Sequence, residues 1–115
     1  MSLLPETSEA LTDRNTFRAW LSQQTQPVVV KFYADWCRPC QQIKQFVRSL
    51  VVESETIILV EVNVDKHRDI ASAYRIRGIP AFMSFRNGQP EHTMSGNNIA
   101  EINHFFAKVM GNKKD

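Results

Sequence analysis

Runs of apolar residues alternate along the chain with segments in which apolar positions recur every three or four residues. The uninterrupted runs are rich in β-branched and aromatic residues and predict three buried strands, at Val28–Tyr33, 57–62 and 81–85. The dipeptide Asn87-Gly88 predicts a tight hairpin leading into a fourth strand over 91–95. A further short strand is expected at 8–11, which makes five.

Four segments with helical periodicity lie between or after these strands. The strongest follows the first buried strand, where apolar residues occur at i, i+3, i+4, i+7 and i+8: Ile43, Phe46, Val47, Leu50 and Val51. We also predict a helix beginning near Asp13, a short polar helix over 65–74, and a last helix between Gly96 and Gly111. The order of elements predicts an α/β three-layer sandwich, with a central mixed five-stranded sheet flanked by four helices.

Composition limits the classes of protein to consider. At 115 residues and 43% hydrophobic, the chain fits one domain spanning 1–115. The net charge of +2 is small and its basic residues are scattered, so no nucleic-acid partner is expected. No stretch is apolar enough to predict a membrane span, and the first residues do not resemble a secretory signal. We therefore expect a cytoplasmic protein, with the nucleus or an organelle matrix as open alternatives.

Both cysteines lie in Trp36-Cys37-Arg38-Pro39-Cys40, where a predicted strand gives way to a helix. A helix start carries unpaired N–H groups and a partial positive charge, so the Cys37 thiol should ionise more easily than a free thiol. Cys40 is close enough to displace a partner from Cys37. The pair therefore predicts a dithiol/disulfide switch. No metal site is expected, because zinc or an iron–sulfur cluster needs four ligands and the chain offers two thiolates.

These residues together resemble the thioredoxin family. The matching segments are 32–40, 62–65, 74–80 and 85–88, together with Gly96, in the family's order and spacing. A CxxC motif after a buried strand, with Gly-Ile-Pro roughly forty residues later, is far more specific than CxxC alone. The resemblance implies the thioredoxin fold and the reduction of protein disulfides by dithiol–disulfide exchange. It implies no cofactor beyond the Cys37–Cys40 disulfide.

The resemblance also implies a role for each site residue. Cys37 would be the exposed attacking thiol and Cys40 the buried resolving thiol. Ile79-Pro80 would be a cis peptide facing the cysteines, and the backbone of Ile79 would pair with an extended substrate. Asp65 would hold the indole N–H of a tryptophan that shields the disulfide. The remaining residues expected on the substrate-binding surface are Trp36, Arg38, Pro39 and Gly96.

Partners follow from the same resemblance. The implied substrates are disulfide-containing proteins, the implied electron donor is an NADPH-dependent thioredoxin reductase, and the expected state is a monomer. Two alternatives stay open. One is a redox-responsive protein-binding module in which turnover is incidental, and the other is a thioredoxin-like protein that leans toward oxidase or isomerase activity.

Three positions depart from the family pattern. Arg38 replaces the usual glycine between the cysteines, and its guanidinium would favour thiolate and raise the reduction potential. The other interpretation is a solvated side chain with a small effect. Gln45 replaces a mid-helix proline, so this helix should be less kinked.

The third departure concerns charge beneath the cysteines. Lys31 stands where the family has a buried aspartate, and Glu61 stands where it usually has a lysine on the neighbouring strand. The charges are exchanged, which predicts a partly buried Lys31–Glu61 ion pair. We hypothesise that Glu61 takes over proton transfer for the resolving thiol, so that both residues belong to the catalytic set. A purely structural pair is the alternative.

Overall fold

The computed structural model describes residues 2–111, so Met1 and 112–115 of the expected domain lie outside it. The described residues form four α-helices and four strands, in this order: α1 (Arg14–Ser22), β1 (Val28–Tyr33), α2 (Arg38–Ser54), β2 (Ile58–Asn63), α3 (Arg68–Ala73), β3 (Ala81–Arg86), β4 (Gln89–Ser95) and α4 (Ile99–Gly111). None of the described helices combines the length and apolar character needed to cross a bilayer.

The sheet has the strand order β2-β1-β3-β4. Strand β1 runs parallel to β2 and antiparallel to β3, and β3 and β4 form an antiparallel hairpin at one edge. At the hairpin turn Asn87 and Gly88 have φ values of 53° and 82°, the left-handed pair that an Asn-Gly turn favours. The predicted mixed sheet and α/β class are therefore confirmed.

The predicted strand at 8–11 is wrong. Glu9–Leu11 forms a short 3₁₀ helix, because the Ser8 hydroxyl accepts a hydrogen bond from the N–H of Ala10 at 3.1 Å and starts a helical turn. The N-terminal segment instead contributes one isolated parallel bridge, between Leu3 and Leu59. Within residues 2–111 the sheet thus has four strands and a single bridge rather than five strands.

Helix α3 is shorter than the predicted 65–74. The side-chain oxygen of Asn63 accepts hydrogen bonds from the N–H groups of Asp65 and Lys66, at 2.9 and 3.2 Å. This turn uses the backbone donors that would otherwise begin a helix, so the helix starts only at Arg68. Helix α2, by contrast, runs without interruption through Gln45, as a residue with a backbone N–H allows.

Strand β1 sends alternate side chains to two separate cores. Val28, Val30 and Phe32 enter the core that includes residues of α1 and α3. Val29 enters the core formed with α2 and α4. Lys31 lies two residues after Val29 and therefore on the same face, beneath α2. This alternation puts a lysine into the layer that also contains Cys40.

Candidate active site

The two cysteines form a disulfide at the start of α2, with their Cα atoms 5.3 Å apart. Cys37 is the N-cap residue, and its Sγ accepts a hydrogen bond from the backbone N–H of Cys40 at 3.2 Å. A sulfur in this position lies at the positive end of the helix dipole. After reduction, the same N–H and dipole favour the thiolate of Cys37 over its thiol.

Burial does not distinguish the two sulfurs in the disulfide form. Cys37 is 3% exposed and Cys40 is 1% exposed, so the expected exposure of Cys37 is wrong for this state. Both pack with Ala34, and partly buried apolar side chains surround them. The feature that separates the cysteines is the capping position of Cys37.

The loop before β3 lies against the cysteines. The Ile79–Pro80 peptide bond is cis, as expected, and Ile79 packs against the cluster that contains Cys37 and Cys40. The N–H of Gly96 donates to the carbonyl of Pro80 at 2.9 Å, which ties the end of β4 to this loop. Gly96 has a φ of 105°, a conformation that side chains rarely adopt.

An exposed aromatic ring stands beside the disulfide. Trp36 is 71% exposed, and its indole N–H donates to Asp65 Oδ2 at 2.9 Å, the contact expected from the sequence. Arg38 and Pro39 are also exposed, in the first turn of α2. A large apolar ring held at the surface by one hydrogen bond is suited to contact with another protein.

Beneath the cysteines lies a group of three charged side chains. Lys31 Nζ is 3.4 Å from Glu61 Oε2, so the predicted ion pair is present and both side chains are buried. Arg48 of α2 also binds this carboxylate through two hydrogen bonds, Nε to Oε2 at 3.0 Å and Nη2 to Oε1 at 2.7 Å. Glu61 therefore bonds to two cations, a pattern that satisfies both of its oxygens.

Sequence reasoning missed Arg48. The available signal was the spacing of Cys40, Lys44 and Arg48 on α2, at i, i+4 and i+8, which places polar residues in one stripe on the helix. Because the paired strands put Lys31 and Glu61 side by side, a stripe that begins at Cys40 passes over them. The spacing alone does not show which charged residue of the stripe reaches the carboxylate.

These contacts shift the ionisation of the group. Burial disfavours the charged form of Glu61, but the Arg48 hydrogen bonds and the charge of Lys31 outweigh it, so the pKa of Glu61 is below its usual value. Burial lowers the pKa of Lys31, against the attraction of Glu61, which raises it. Arg48 has a raised pKa, mainly through its hydrogen bonds to Glu61.

A cavity of about 110 Å³ connects this group to the disulfide. Its lining consists of Glu6, Lys31, Tyr33, Asp35, Cys40, Gln41, Lys44 and Glu61. Tyr33 donates its hydroxyl to Glu6 Oε2 at 2.9 Å, and Lys31 Nζ lies 5.7 Å from the centre of the Tyr33 ring. Burial and the Glu6 carboxylate raise the pKa of Tyr33 to about 12. The cavity thus joins a redox-active sulfur to polar and charged side chains.

Comparison with known proteins decides the family. The thioredoxin family model matches residues 8–108. This chain belongs to the thioredoxin family. The thioredoxin of Ophiophagus hannah is 34% identical over 99 residues, which are 85% of this chain and 94% of that protein.

Solved thioredoxin structures agree with this assignment. Thioredoxin f2 of Chlamydomonas reinhardtii superimposes with a TM-score of 0.76 at 31% identity, over 84% of this chain and 91% of that one. Fasciola hepatica thioredoxin, at 23% identity, shares the fold with a TM-score of 0.80, over 95% of this chain and 99% of that one.

Family membership establishes the class of reaction. Thioredoxins are protein-disulfide oxidoreductases that work through a redox-active disulfide, without a bound cofactor, and this chain has its cysteine pair at bonding distance. The predicted thiol–disulfide oxidoreductase activity is therefore confirmed. Among residues 2–111, no group of three His, Cys, Asp or Glu side chains is arranged to hold a metal ion.

Proposed function

We propose that this thioredoxin reduces disulfides of other proteins, with Cys37 as the attacking thiol and Cys40 as the resolving thiol. The observation that carries this assignment is the Cys37 sulfur at the N-cap of α2, where it accepts the Cys40 N–H. That contact and the helix dipole favour the thiolate, which is the nucleophile in disulfide exchange.

The reaction then has two steps. The Cys37 thiolate attacks one sulfur of the substrate disulfide, forms a mixed disulfide, and releases the other substrate sulfur as a thiolate. Cys40 loses its proton and attacks Cys37 Sγ, so the Cys37–Cys40 bond forms and the bond to the substrate breaks. Two electrons pass from the cysteine pair to the substrate, and the released substrate thiolates take up protons from water.

The substrate-binding surface is assigned to the residues around the disulfide: Trp36, Arg38 and Pro39 are exposed, Ile79 and Gly96 are half-buried, and Pro80 is buried. Trp36 offers an apolar face, and the chain at Ile79 offers backbone groups for pairing with an extended segment. Arg38, Pro39, Pro80 and Gly96 complete this surface. Its support is geometric, since Ile79 packs against the cysteines and Gly96 is tied to Pro80.

The electron donor, compartment and oligomeric state are part of the same proposal. After each cycle the Cys37–Cys40 disulfide must be reduced again, and an NADPH-dependent thioredoxin reductase is the proposed donor. Because a reductant needs a reducing environment, the proposed compartment is the cytoplasm. The proposed working unit is a monomer, since Cys37 and Cys40 form their disulfide within one chain.

Insulin reduction tests the proposal. With dithiothreitol as reductant, the protein should accelerate insulin precipitation, and Cys37→Ser and Cys40→Ser should each lose nearly all of this acceleration. Added thioredoxin reductase should then support NADPH consumption. A wild-type protein that is folded, has accessible thiols and is no faster than dithiothreitol alone would instead favour the redox-responsive binding module.

The effect of Arg38 on the reduction potential distinguishes a reductant from a protein that leans toward oxidase or isomerase activity. Its exposed guanidinium, one residue after Cys37, favours the reduced form through stabilisation of thiolate. Equilibration against glutathione should give the wild type a higher reduction potential than Arg38→Gly. Equal reduction potentials would show that the solvated Arg38 side chain has little effect on the cysteine pair. The protein would then be an ordinary reductant.

A further inference from the structure

The buried charges beneath Cys40 do not balance. Lys31 and Arg48 are both bonded to the single carboxylate of Glu61, and two cations with one anion leave a net charge of +1. Lys31 and Glu61 are almost fully buried, whereas Arg48 is 27% exposed. The excess positive charge is therefore poorly solvated at the Lys31 side, and an anion placed there would be stabilised.

Cys40 is the group positioned to supply that anion. Cys40 lines the same small cavity as Lys31 and Glu61, and it is itself buried. The other titratable groups around the cavity lie on the N-terminal segment, the end of β1, the loop after β1, and α2: Glu6, Tyr33, Asp35 and Lys44. Glu6 and Asp35 are exposed and solvent screens their charges, so they act on the sulfur less strongly than the buried lysine.

Glu61 is poorly suited to take the proton from Cys40. Arg48 occupies both of its oxygens, and Lys31 lies against one of them. Protonation would break this arrangement, in keeping with the lowered pKa of Glu61. Lys31, which lies beside Glu61, therefore offers an alternative to the sequence-based hypothesis that Glu61 transfers the proton.

We propose that Lys31 is a positioning residue for the resolving step: its ammonium group, held by the Glu61 carboxylate, stabilises the thiolate of Cys40. This inference rests on the proposed role of Cys40 as the resolving thiol. The effect of Lys31 on the pKa of Cys40 is opposite to that of a buried carboxylate, because a nearby cation favours the thiolate and a nearby anion opposes it.

In the mixed disulfide, the Cys40 thiol releases its proton to solvent through the cavity, and the remaining thiolate is held beside Lys31. The thiolate then attacks Cys37 Sγ, forms the intramolecular disulfide and expels the substrate sulfur with its electron pair. Lys31 keeps its proton throughout, and once the disulfide has formed the cluster returns to its net charge of +1.

The pKa of Cys40 can be measured without turnover. In a reduced Cys37→Ser background, serine preserves the cap of α2 and leaves Cys40 as the single thiol. The NMR shift of its β-carbon, followed against pH, reports thiolate formation directly. We expect Lys31→Met to raise the pKa of Cys40 by about one unit or more. At any pH below the pKa values of both proteins, the thiolate fraction would then fall roughly tenfold.

Two further variants control this experiment. Lys31→Arg keeps the cation and should retain most of the low pKa. Lys44→Met removes a lysine that lines the same cavity but is only half-buried, so solvent screens its charge and the shift in the Cys40 pKa should be much smaller. Native circular dichroism at each pH confirms that the variants remain folded during the titration.

Glu61→Gln separates the proposal from proton transfer by Glu61. If Lys31 acts through its charge, Glu61→Gln in the otherwise wild-type protein should shift the pH profile of mixed-disulfide resolution, because Lys31 loses the carboxylate that holds it, but should lower the plateau rate less than tenfold. A plateau that falls at least tenfold would assign the proton to Glu61 and overturn the proposal.

A Cys40 pKa that is the same in Lys31→Met and the parent would overturn the proposal as well. Because the NMR titration contains no catalytic step, this result leaves the reductase activity untouched. Conversely, an inactive wild type in the insulin assay would overturn the proposed function without changing the measured pKa.

Discussion

At the scale of single residues, Glu61 shows how a buried charge exchange is accommodated. A lysine at the centre of β1 would be costly alone, but the parallel register of β1 and β2 places Glu61 directly beside it. Arg48 then adds two hydrogen bonds from the helix above. The pairing was predictable from the two strands, whereas the Arg48 contact depends on how α2 packs over the sheet.

The pH dependence of stability follows from the lowered pKa of Glu61. A carboxyl group whose pKa is lower in the folded than in the unfolded chain stabilises the fold above its unfolded pKa. That contribution is lost as pH falls through the folded value. We expect Glu61→Gln to lower the free energy of unfolding by about 3 kcal/mol at neutral pH, with a difference that shrinks below pH ~4.

Urea unfolding of both proteins across the acid range measures this difference. Glu91→Gln is the matched control, because Glu91 binds Arg86 with a side chain that is 26% exposed, against 4% for Glu61. The control should cost less than about 1 kcal/mol. A Glu61→Gln difference that is constant from neutral to acid pH would contradict the assigned ionisation.

At the scale of elements, the β3–β4 hairpin is fixed by its turn and by its packing on α1. Gly88 has a φ of 82°, and a β-carbon there would lie 2.9 Å from the Cα of Ser22. Conformation and space both exclude a side chain, so Gly88→Ala should lower the free energy of unfolding by about 2 kcal/mol.

Gly78→Ala is the control for that substitution. Nothing lies within 4 Å of a β-carbon at Gly78, and its backbone is outside the left-handed region. Thermal or urea unfolding should place this variant within about 0.5 kcal/mol of the wild type. Equal losses for the two alanine variants would show that the contact with α1 is unimportant.

The N-terminal segment is attached to β1 through Tyr33 and Glu6. Since the pKa of Tyr33 is raised to about 12, its neutral form stabilises the fold below the ordinary tyrosine range, near pH 10. This stabilisation is lost as pH rises through the folded value. We expect Glu6→Gln to lower the pKa of Tyr33, because it removes the neighbouring negative charge while retaining an acceptor.

Phenolate absorbance in alkaline titrations tests this prediction. Tyr33→Phe identifies the Tyr33 component, since Tyr74 is the second tyrosine in the chain. If Glu6→Gln leaves the Tyr33 transition where it is, the hydroxyl–carboxylate contact is absent in solution.

At the scale of the whole molecule, sequence pattern predicted most of the fold and the centre of the site. Apolar runs located β1, β2 and β3 because buried strands of this kind have few polar interruptions. The sequence also located the active site, since both cysteines lie in one motif at a strand–helix junction.

The remaining features depend on contacts that pattern does not contain. Glu9–Leu11 forms a 3₁₀ helix because the Ser8 hydroxyl caps it, and the side chain of Asn63 shortens α3. Arg48 reaches Glu61 only because the fold stacks α2 over β2. Sequence-based prediction therefore failed where polar side chains bond nearby backbone N–H groups, and where a contact depends on tertiary packing. The hydrophobic pattern itself was reliable.

The proposed reaction depends on Cys37 as the attacking thiol and Cys40 as the resolving thiol. The direct measurement is mass spectrometry of the reduced protein after mixing with a protein disulfide. Cys40→Ser should accumulate a covalent adduct through Cys37, Cys37→Ser should form none, and the wild type should release its substrate and recover the Cys37–Cys40 disulfide. An adduct through Cys40 in Cys37→Ser, or no adduct in Cys40→Ser, would contradict these two roles.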